Sequence, residues 1–137
     1  MRTSWVCGAH GHNFVKTMLR AAAERDELNV VDDQHGCPTF TSDLAGAIRR
    51  LVVARLPGTF HVTNQGATTP FELARATLVA AGLDAGRVEP VSTEAYGRPV
   101  PRPRRSDLDN AVLRLSGIPL LADHHEPLER LVKELIS

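Results

Sequence analysis

Apolar and polar positions along this chain switch repeatedly between a period of two and a period near 3.6. That predicts short strands alternating with helices. Residues 2–7 alternate as a strand does, and Gly8 to Gly11 turns the chain. Asn13 stands where a helix cap belongs, ahead of Phe14, Val15, Met18, Leu19 and Ala22 at helical spacing. Residues 28–31 predict a second strand. A helix over 43–55 carries Leu44, Ile48, Leu51 and Val52 on one side and stops at Pro57-Gly58. Residues 59–62 predict a third strand. Thr69-Pro70-Phe71-Glu72 is a capping box with proline at the first helical position. Phe71, Ala74, Leu78 and Ala81 follow it, and Gly82 closes the helix. Residues 87–91 predict a fourth, short strand. A short helix over about 109–115 ends at Gly117. A last helix starts near Asp123, with Glu126 completing a second box, and carries Leu128, Leu131, Val132 and Leu135. The class is α/β, with short strands alternating with about five helices.

The stretch from Val30 to Ala45 organises the rest. It reads as the end of a strand, a loop stiffened by Gly36 and Pro38, and the start of a helix at Asp43. Asp32, Asp33, Gln34, Thr39, Thr41 and Ser42 crowd that loop. Polar loops between a strand and a helix are common places for ligand contacts. The plainer alternative puts Asp33 and Gln34 in a turn and gives Ser42 or Asp43 the task of capping the helix.

The 137 residues suffice for one modest domain. Sixteen basic and sixteen acidic residues cancel, which argues against broad nucleic-acid binding. No apolar run approaches membrane-spanning length, and the first residues lack the apolar core of a signal peptide. A soluble, cytoplasmic protein is expected, with neither nucleic acid nor membrane as partner. Cys7 and Cys37 lack Cys-x-x-Cys spacing and are expected to be buried thiols.

Several chemistries find weak support. His10-x-His12, His35-x-Cys37 and His124-His125 are the histidine clusters, and none has the three converging ligands of a catalytic zinc site, so no metal is assigned. Gly8-x-x-Gly11 is followed by Phe14 rather than a third glycine, and no Walker lysine exists, so no cofactor is assigned to this chain. There is no Gly-x-Ser-x-Gly elbow, and Cys37 with His35 two residues away is poorly placed for nucleophilic catalysis. Residues 96–105 are the richest in candidate chemistry. They hold Arg98, Arg102, Arg104 and Arg105 among Pro99, Pro101 and Pro103. Proline keeps such a segment extended, and arginines held there can grip a diphosphate through paired, charge-assisted bonds. An exposed basic loop balanced by Asp107 and Asp109 is the alternative. Trp5 is either core or a platform for a sugar ring.

Together these residues resemble a known family. Arg2-Thr3-Ser4-Trp5-Val6-Cys7-Gly8 and Asn13-Phe14-Val15-Lys16-Thr17-Met18-Leu19 look like the second half of the dTDP-4-dehydrorhamnose reductases. So do Val31-Asp32-Asp33-Gln34, Gly36-Cys37-Pro38-Thr39, Asp43-Leu44-Ala45 and Gly58-Thr59-Phe60-His61-Val62-Thr63-Asn64. Arg102-Pro103, Ser106 and Leu108-Asp109-Asn110 complete the pattern in order. The resemblance implies the C-terminal portion of an extended short-chain dehydrogenase/reductase, lacking most of the doubly wound cofactor domain. Such enzymes reduce a dTDP-4-dehydro-deoxysugar with NADPH. Residues 1–30 would belong to the Rossmann-like sheet, and residues 31–137 would form the sugar-nucleotide-binding domain.

The family's Gly-x-x-Gly-x-x-Gly loop and Tyr-x-x-x-Lys pair have no counterpart here: the sole tyrosine, Tyr96, has Val100 four residues on. The resemblance therefore implies no catalytic residue and no cofactor bound by this chain alone. It implies substrate contacts from Trp5 to the deoxysugar, from Asn13 near the phosphates and from Arg102 to the diphosphate. Cys7 and Cys37 stand where the family usually has tyrosine and serine. The expected partners are a dTDP-deoxysugar and a missing N-terminal half or a second copy. The rival expectation is a non-catalytic scaffold or regulator of a full-length dTDP-sugar enzyme.

Overall fold

A computed structural model describes residues 1–97, 99–100 and 102–137. Arg98 and Pro101 of the arginine–proline stretch lie outside the described residues. In chain order the elements are β1 (Val6–Cys7), α1 (Phe14–Glu24), β2 (Leu28–Val31), β3 (Thr39–Phe40), α2 (Thr41–Ala54) and α3 (Pro70–Ala80). A single 3-10 turn (Ala85–Arg87) then leads into β4 (Val88–Val91), α4 (Thr93–Tyr96), α5 (Ala111–Leu115) and α6 (His125–Ile136). The strands form two parallel pairs. β1 runs beside β3 with Val6 opposite Thr39, and β2 runs beside β4 with Leu28 opposite Val88. Parallel pairs joined through helices are what the α/β alternation predicts.

The helix α3 sits at the centre. Its Leu73 packs with Cys7, Val15, Phe40, Leu128 and Val132, drawing β1, α1, β3 and α6 together. Its Ala74 and Leu78 pack with Ala22, Leu28, Val30 and Val88, which seats the β2–β4 pair against α1. A third cluster joins Leu44 and Ala47 of α2 to Phe60, Val62, Leu113 and Leu121. The start of α3 is built as its sequence indicates. Thr69 Oγ1 accepts from Glu72 N (3.2 Å), and Glu72 Oε2 accepts from Thr69 N (3.3 Å). The Thr69 hydroxyl also donates to Asp32 Oδ1 at 2.7 Å, which ties this cap to the loop after β2.

Several elements differ from the sequence reading, each for a local reason. The strand expected over 2–7 is broken at Trp5, whose φ is +45°, leaving Arg2 to bridge His61 and only Val6–Cys7 to pair with β3. The strand expected over 59–62 is accordingly reduced to that bridge. α2 starts at Thr41, two residues early, with Phe40 as its N-cap and no side-chain cap bond. Ser42 and Asp43 therefore do not cap it. The Asp43 carboxylate instead receives Asn64 Nδ2 (2.7 Å) and the Arg130 guanidinium (2.6 Å). The buried side of α2 is Leu44 and Ala47, whereas Val52 is 68% exposed. α6 starts at His125, and Glu126 pairs with Arg130 one turn on (3.5 Å) rather than closing a box. Residues 93–96, with Ser92 capping Ala95 N, form the short helix α4, which brings the α-helices among the described residues to six.

Arg87 fastens the β4 edge to the end of α1. Its Nε donates to the Asp26 carbonyl (2.9 Å), and its Nη2 donates to the carbonyls of Ala22 (2.8 Å) and Arg25. A cation on the free carbonyls of a helix C-terminus is favourable. Arg87→Ala is expected to destabilise the fold by about 1 kcal/mol, read as a lower midpoint in urea with an unchanged slope.

Candidate functional site

The loop after β2 is held on three sides. His35 N donates to the Arg104 carbonyl (2.7 Å), and Ser106 N returns to the His35 carbonyl (2.8 Å). Gly36 and Thr68 exchange both backbone bonds, at 3.1 and 2.9 Å. Asp33 Oδ1 accepts from Thr93 N (3.0 Å) and from Thr93 Oγ1 (2.5 Å). The Thr93 hydroxyl, foremost, keeps the Asp33 carboxyl below the ordinary aspartate value, with a smaller contribution from the charge of Arg104. This loop brings the start of α3, α4 and the arginine–proline stretch to one place.

Trp5 enters from the other side. A Cβ added to Gly36 would lie 2.3 Å from Trp5 Cε2 and 2.7 Å from its Nε1. The indole therefore lies directly on the Gly36 backbone. Trp5 O accepts from Thr39 N (3.1 Å), so the residue is fixed by main chain as well as by its ring. A left-handed backbone at a bulky side chain is strained and persists only where its surroundings hold it.

Between these parts opens a cleft of about 870 Å³. Its apolar walls include Trp5, Val6, Phe14, Met18, Val31 and Leu73, and its polar lining includes Gln34, Tyr96, Arg102 and Ser106. That volume lies within the range of small-molecule and cofactor sites. Arg102 is exposed and, among the described residues, has no acidic partner in an ion pair. Arg105, by contrast, is taken by Asp107 (2.9 Å). Of the four arginines of the stretch, Arg102 is thus a described one that both lines the cleft and keeps its charge available.

Of the expected site residues, Trp5 and Arg102 share the cleft and Asn13 is not on its wall. Asn13 Oδ1 accepts from Lys16 N (3.2 Å), and its Nδ2 donates to the Gly8 carbonyl (2.7 Å), so its amide caps α1 and closes the preceding turn. The cleft residues Phe14 and Thr17 follow directly on that cap. Two asparagines of the resembling segments are structural. Asn64 is fully buried, with Oδ1 accepting from Phe40 N (2.9 Å) and Nδ2 donating to Asp43 and to the Ala122 carbonyl (3.0 Å). Asn110 embraces Thr63, accepting from its N and donating to its O and Oγ1.

The histidine clusters sort differently. Cys7 and Cys37 are buried free thiols, and burial pushes the Cys7 thiol up to about 11. Asp123, His124 and His125 bring donor atoms within 4.8 Å of one another. His124 is buried, and its Nδ1 lies 3.1 Å from the Gln65 carbonyl, where it must carry a proton. That nitrogen is therefore committed to the backbone. His125 Nδ1 is likewise occupied by Asp123 (2.5 Å), which holds the Asp123 carboxyl low. Sequence reasoning missed Thr93 and the role of Gly36. Gln34 was visible as one polar residue among six in its loop, with nothing in the spacing to single it out.

The relatives agree with this architecture. Residues 1–137 match the RmlD substrate binding domain. The dTDP-4-dehydrorhamnose reductase of Streptomyces griseus is 45% identical over 123 residues, covering 86% of this chain and 40% of that protein. The dTDP-4-dehydrorhamnose reductase of Mycolicibacterium smegmatis is 39% identical over 139 residues, covering 100% of this chain and 42% of that protein. The crystal structure of dTDP-4-dehydrorhamnose reductase from Bacillus anthracis, in complex with NADP, superposes with a TM-score of 0.92 at 43% identity. It covers 97% of this chain and 47% of that one. The chain thus spans less than half the length of these relatives. A dTDP-glucose 4,6-dehydratase from Bacillus anthracis, at 15% identity and a TM-score of 0.75, shares the fold. The chain belongs to the RmlD substrate binding domain family, and it corresponds to the C-terminal half of dTDP-4-dehydrorhamnose reductases, which are extended short-chain dehydrogenase/reductases.

Proposed function

We propose that this chain is the sugar-nucleotide-binding half of a dTDP-4-dehydrorhamnose reductase and that its cleft takes a dTDP-deoxysugar. The observation that carries the reading is the meeting of Trp5 and Arg102 in one cleft of about 870 Å³. An indole face suits a deoxysugar ring, and an unpaired guanidinium suits a diphosphate. In this proposal Trp5 and Arg102 touch substrate, while Asn13 serves it by holding the start of α1 beside the cleft. Residues 1–30 extend the cofactor-domain sheet, and residues 31–137 form the substrate domain.

Reduction needs a hydride donor and a proton donor. The 137 residues contain neither a Gly-x-x-Gly-x-x-Gly loop nor a Tyr-x-x-x-Lys pair. We assign NADPH binding and catalysis to an N-terminal half. Among the described residues β1 pairs with β3 alone, and Val6 is 45% exposed, which leaves an edge for a further strand. No helix among the described residues is long and apolar enough to cross a membrane.

Trp5 is the sole tryptophan, so its fluorescence reports on the cleft. Titration with dTDP is expected to change that emission saturably, and Arg102→Ala is expected to weaken binding about tenfold, the effect of losing one charge-assisted contact. A scaffold or regulator without a ligand site would show no saturable change.

A further inference from the structure

We propose that Gln34 determines specificity in this cleft. Its side-chain carbonyl is held as a hydrogen-bond acceptor by a one-way chain through Thr93 to Asp33, and it selects a ligand offering a hydroxyl or imide N–H. The inference rests on the sugar-nucleotide reading of the same cleft.

The direction of the chain follows from proton counting. Gln34 is buried and lines the cleft. Its Nε2 is 2.9 Å from Thr93 Oγ1, and that oxygen is 2.5 Å from Asp33 Oδ1. An ionised carboxylate only accepts, so the single hydroxyl proton of Thr93 points at Asp33. Thr93 Oγ1 can then only accept from Gln34. An amide turned the other way would set two acceptor oxygens face to face, so the nitrogen must be the end on Thr93. The carbonyl oxygen is left at the opposite end, and among the described residues no donor of the protein satisfies it. Asp33 stays ionised at neutral pH because its carboxyl lies below the ordinary value, and Thr93 N donates to the same oxygen at 3.0 Å.

The Gln34 side-chain carbonyl is not among the buried unpartnered side-chain atoms, so it keeps access to solvent and is open to a ligand donor. The group is also discriminating. A site built to accept one hydrogen bond penalises an analogue that lacks the donor or places an acceptor there. Gln34 would be the contacting residue, and Thr93 and Asp33 positioning residues that act through it.

The test compares the wild type with Gln34→Met and Thr93→Val against dTDP, N3-methyl-dTDP and dTDP-L-rhamnose. Gln34→Met keeps the approximate volume and removes the acceptor, so about a tenfold loss is expected for the ligand that supplies the donor. Loss with dTDP-L-rhamnose alone assigns the donor to a sugar hydroxyl. Loss with dTDP and dTDP-L-rhamnose but not with N3-methyl-dTDP assigns it to the thymine imide. In the free protein, the Gln34 side-chain amide resonances are expected to move on Thr93→Val, a readout independent of any ligand. Wild-type binding with unchanged affinity in Gln34→Met would overturn the inference and leave the sugar-nucleotide reading standing. Resonances indifferent to Thr93→Val would overturn the chain itself. Absence of binding to the wild type would remove the sugar-nucleotide reading and the inference with it.

Discussion

Gly36→Ala is expected to expel the Trp5 indole from its seat and to cost about 2 kcal/mol of stability, a typical penalty for overpacking. The added Cβ would fall within 2.3–2.7 Å of three indole atoms. The ring is rigid, and the Trp5 backbone is held by its bond to Thr39, so neither side can yield by a small rotation. The φ of Gly36 lies outside the left-handed region, so alanine brings no backbone strain of its own there. The effect therefore isolates the contact with the ring. Trp5 emission should shift to the red as the indole enters water, and affinity for dTDP-L-rhamnose should fall to that of Trp5→Ala. A Gly36→Ala protein with wild-type emission would show that the ring does not lie on this backbone.

Asn64→Ala is expected to cost about 3 kcal/mol, because a fully buried amide is removed and buried Phe40 N, the half-buried Asp43 carboxylate and the Ala122 carbonyl each lose a bond at once. Phe40 N at the start of α2 would lose its acceptor. The Ala122 carbonyl and the Asp43 carboxylate would lose a donor, and Asp43 would keep only Arg130 and the weak contact from Ser42. In a chain of this length such a change lowers the melting temperature by about 10 °C. Asn64→Asp makes the comparison sharper. It keeps an acceptor for Phe40 N but sets a second carboxylate against Asp43, so it should be no more stable than alanine. If either variant melted with the wild type, Asn64 would not be the clasp between β3, α2 and the segment before α6.

Local sequence chemistry made much of the fold legible. Thr69, Pro70 and Glu72 act within one turn of chain, so the start of α3 could be read directly, and the same holds for Asn13 at α1. Where a polar side chain has a long-range partner, local reading failed. Asp43 lies where a cap is expected, but Asn64 and Arg130 claim its carboxylate, and α2 begins earlier without a side-chain cap. Asn110 faces Thr63 rather than the N-terminus of α5. The strand over 2–7 was read from alternation, and alternation carries no sign of the left-handed turn at Trp5 that breaks it.

The candidate site divides in the same way. Trp5 and Arg102 were singled out through the family resemblance, and the fold brings them to one cleft although 97 positions separate them. Asn13 was singled out with them, and its amide caps α1 and bonds the Gly8 carbonyl. The chain Gln34–Thr93–Asp33 was invisible in one dimension because Thr93 is 60 residues from Asp33 and sits in a helix that the pattern did not announce.

The most direct test of the account is calorimetric titration of this chain with dTDP-L-rhamnose, repeated with Trp5→Ala and Arg102→Ala. Saturable one-site binding by the wild type, weakened in both variants while each keeps the wild-type fold, is the predicted result. A folded, monodisperse wild type that takes up no dTDP-L-rhamnose would contradict the claim that the Trp5–Arg102 cleft is a sugar-nucleotide site.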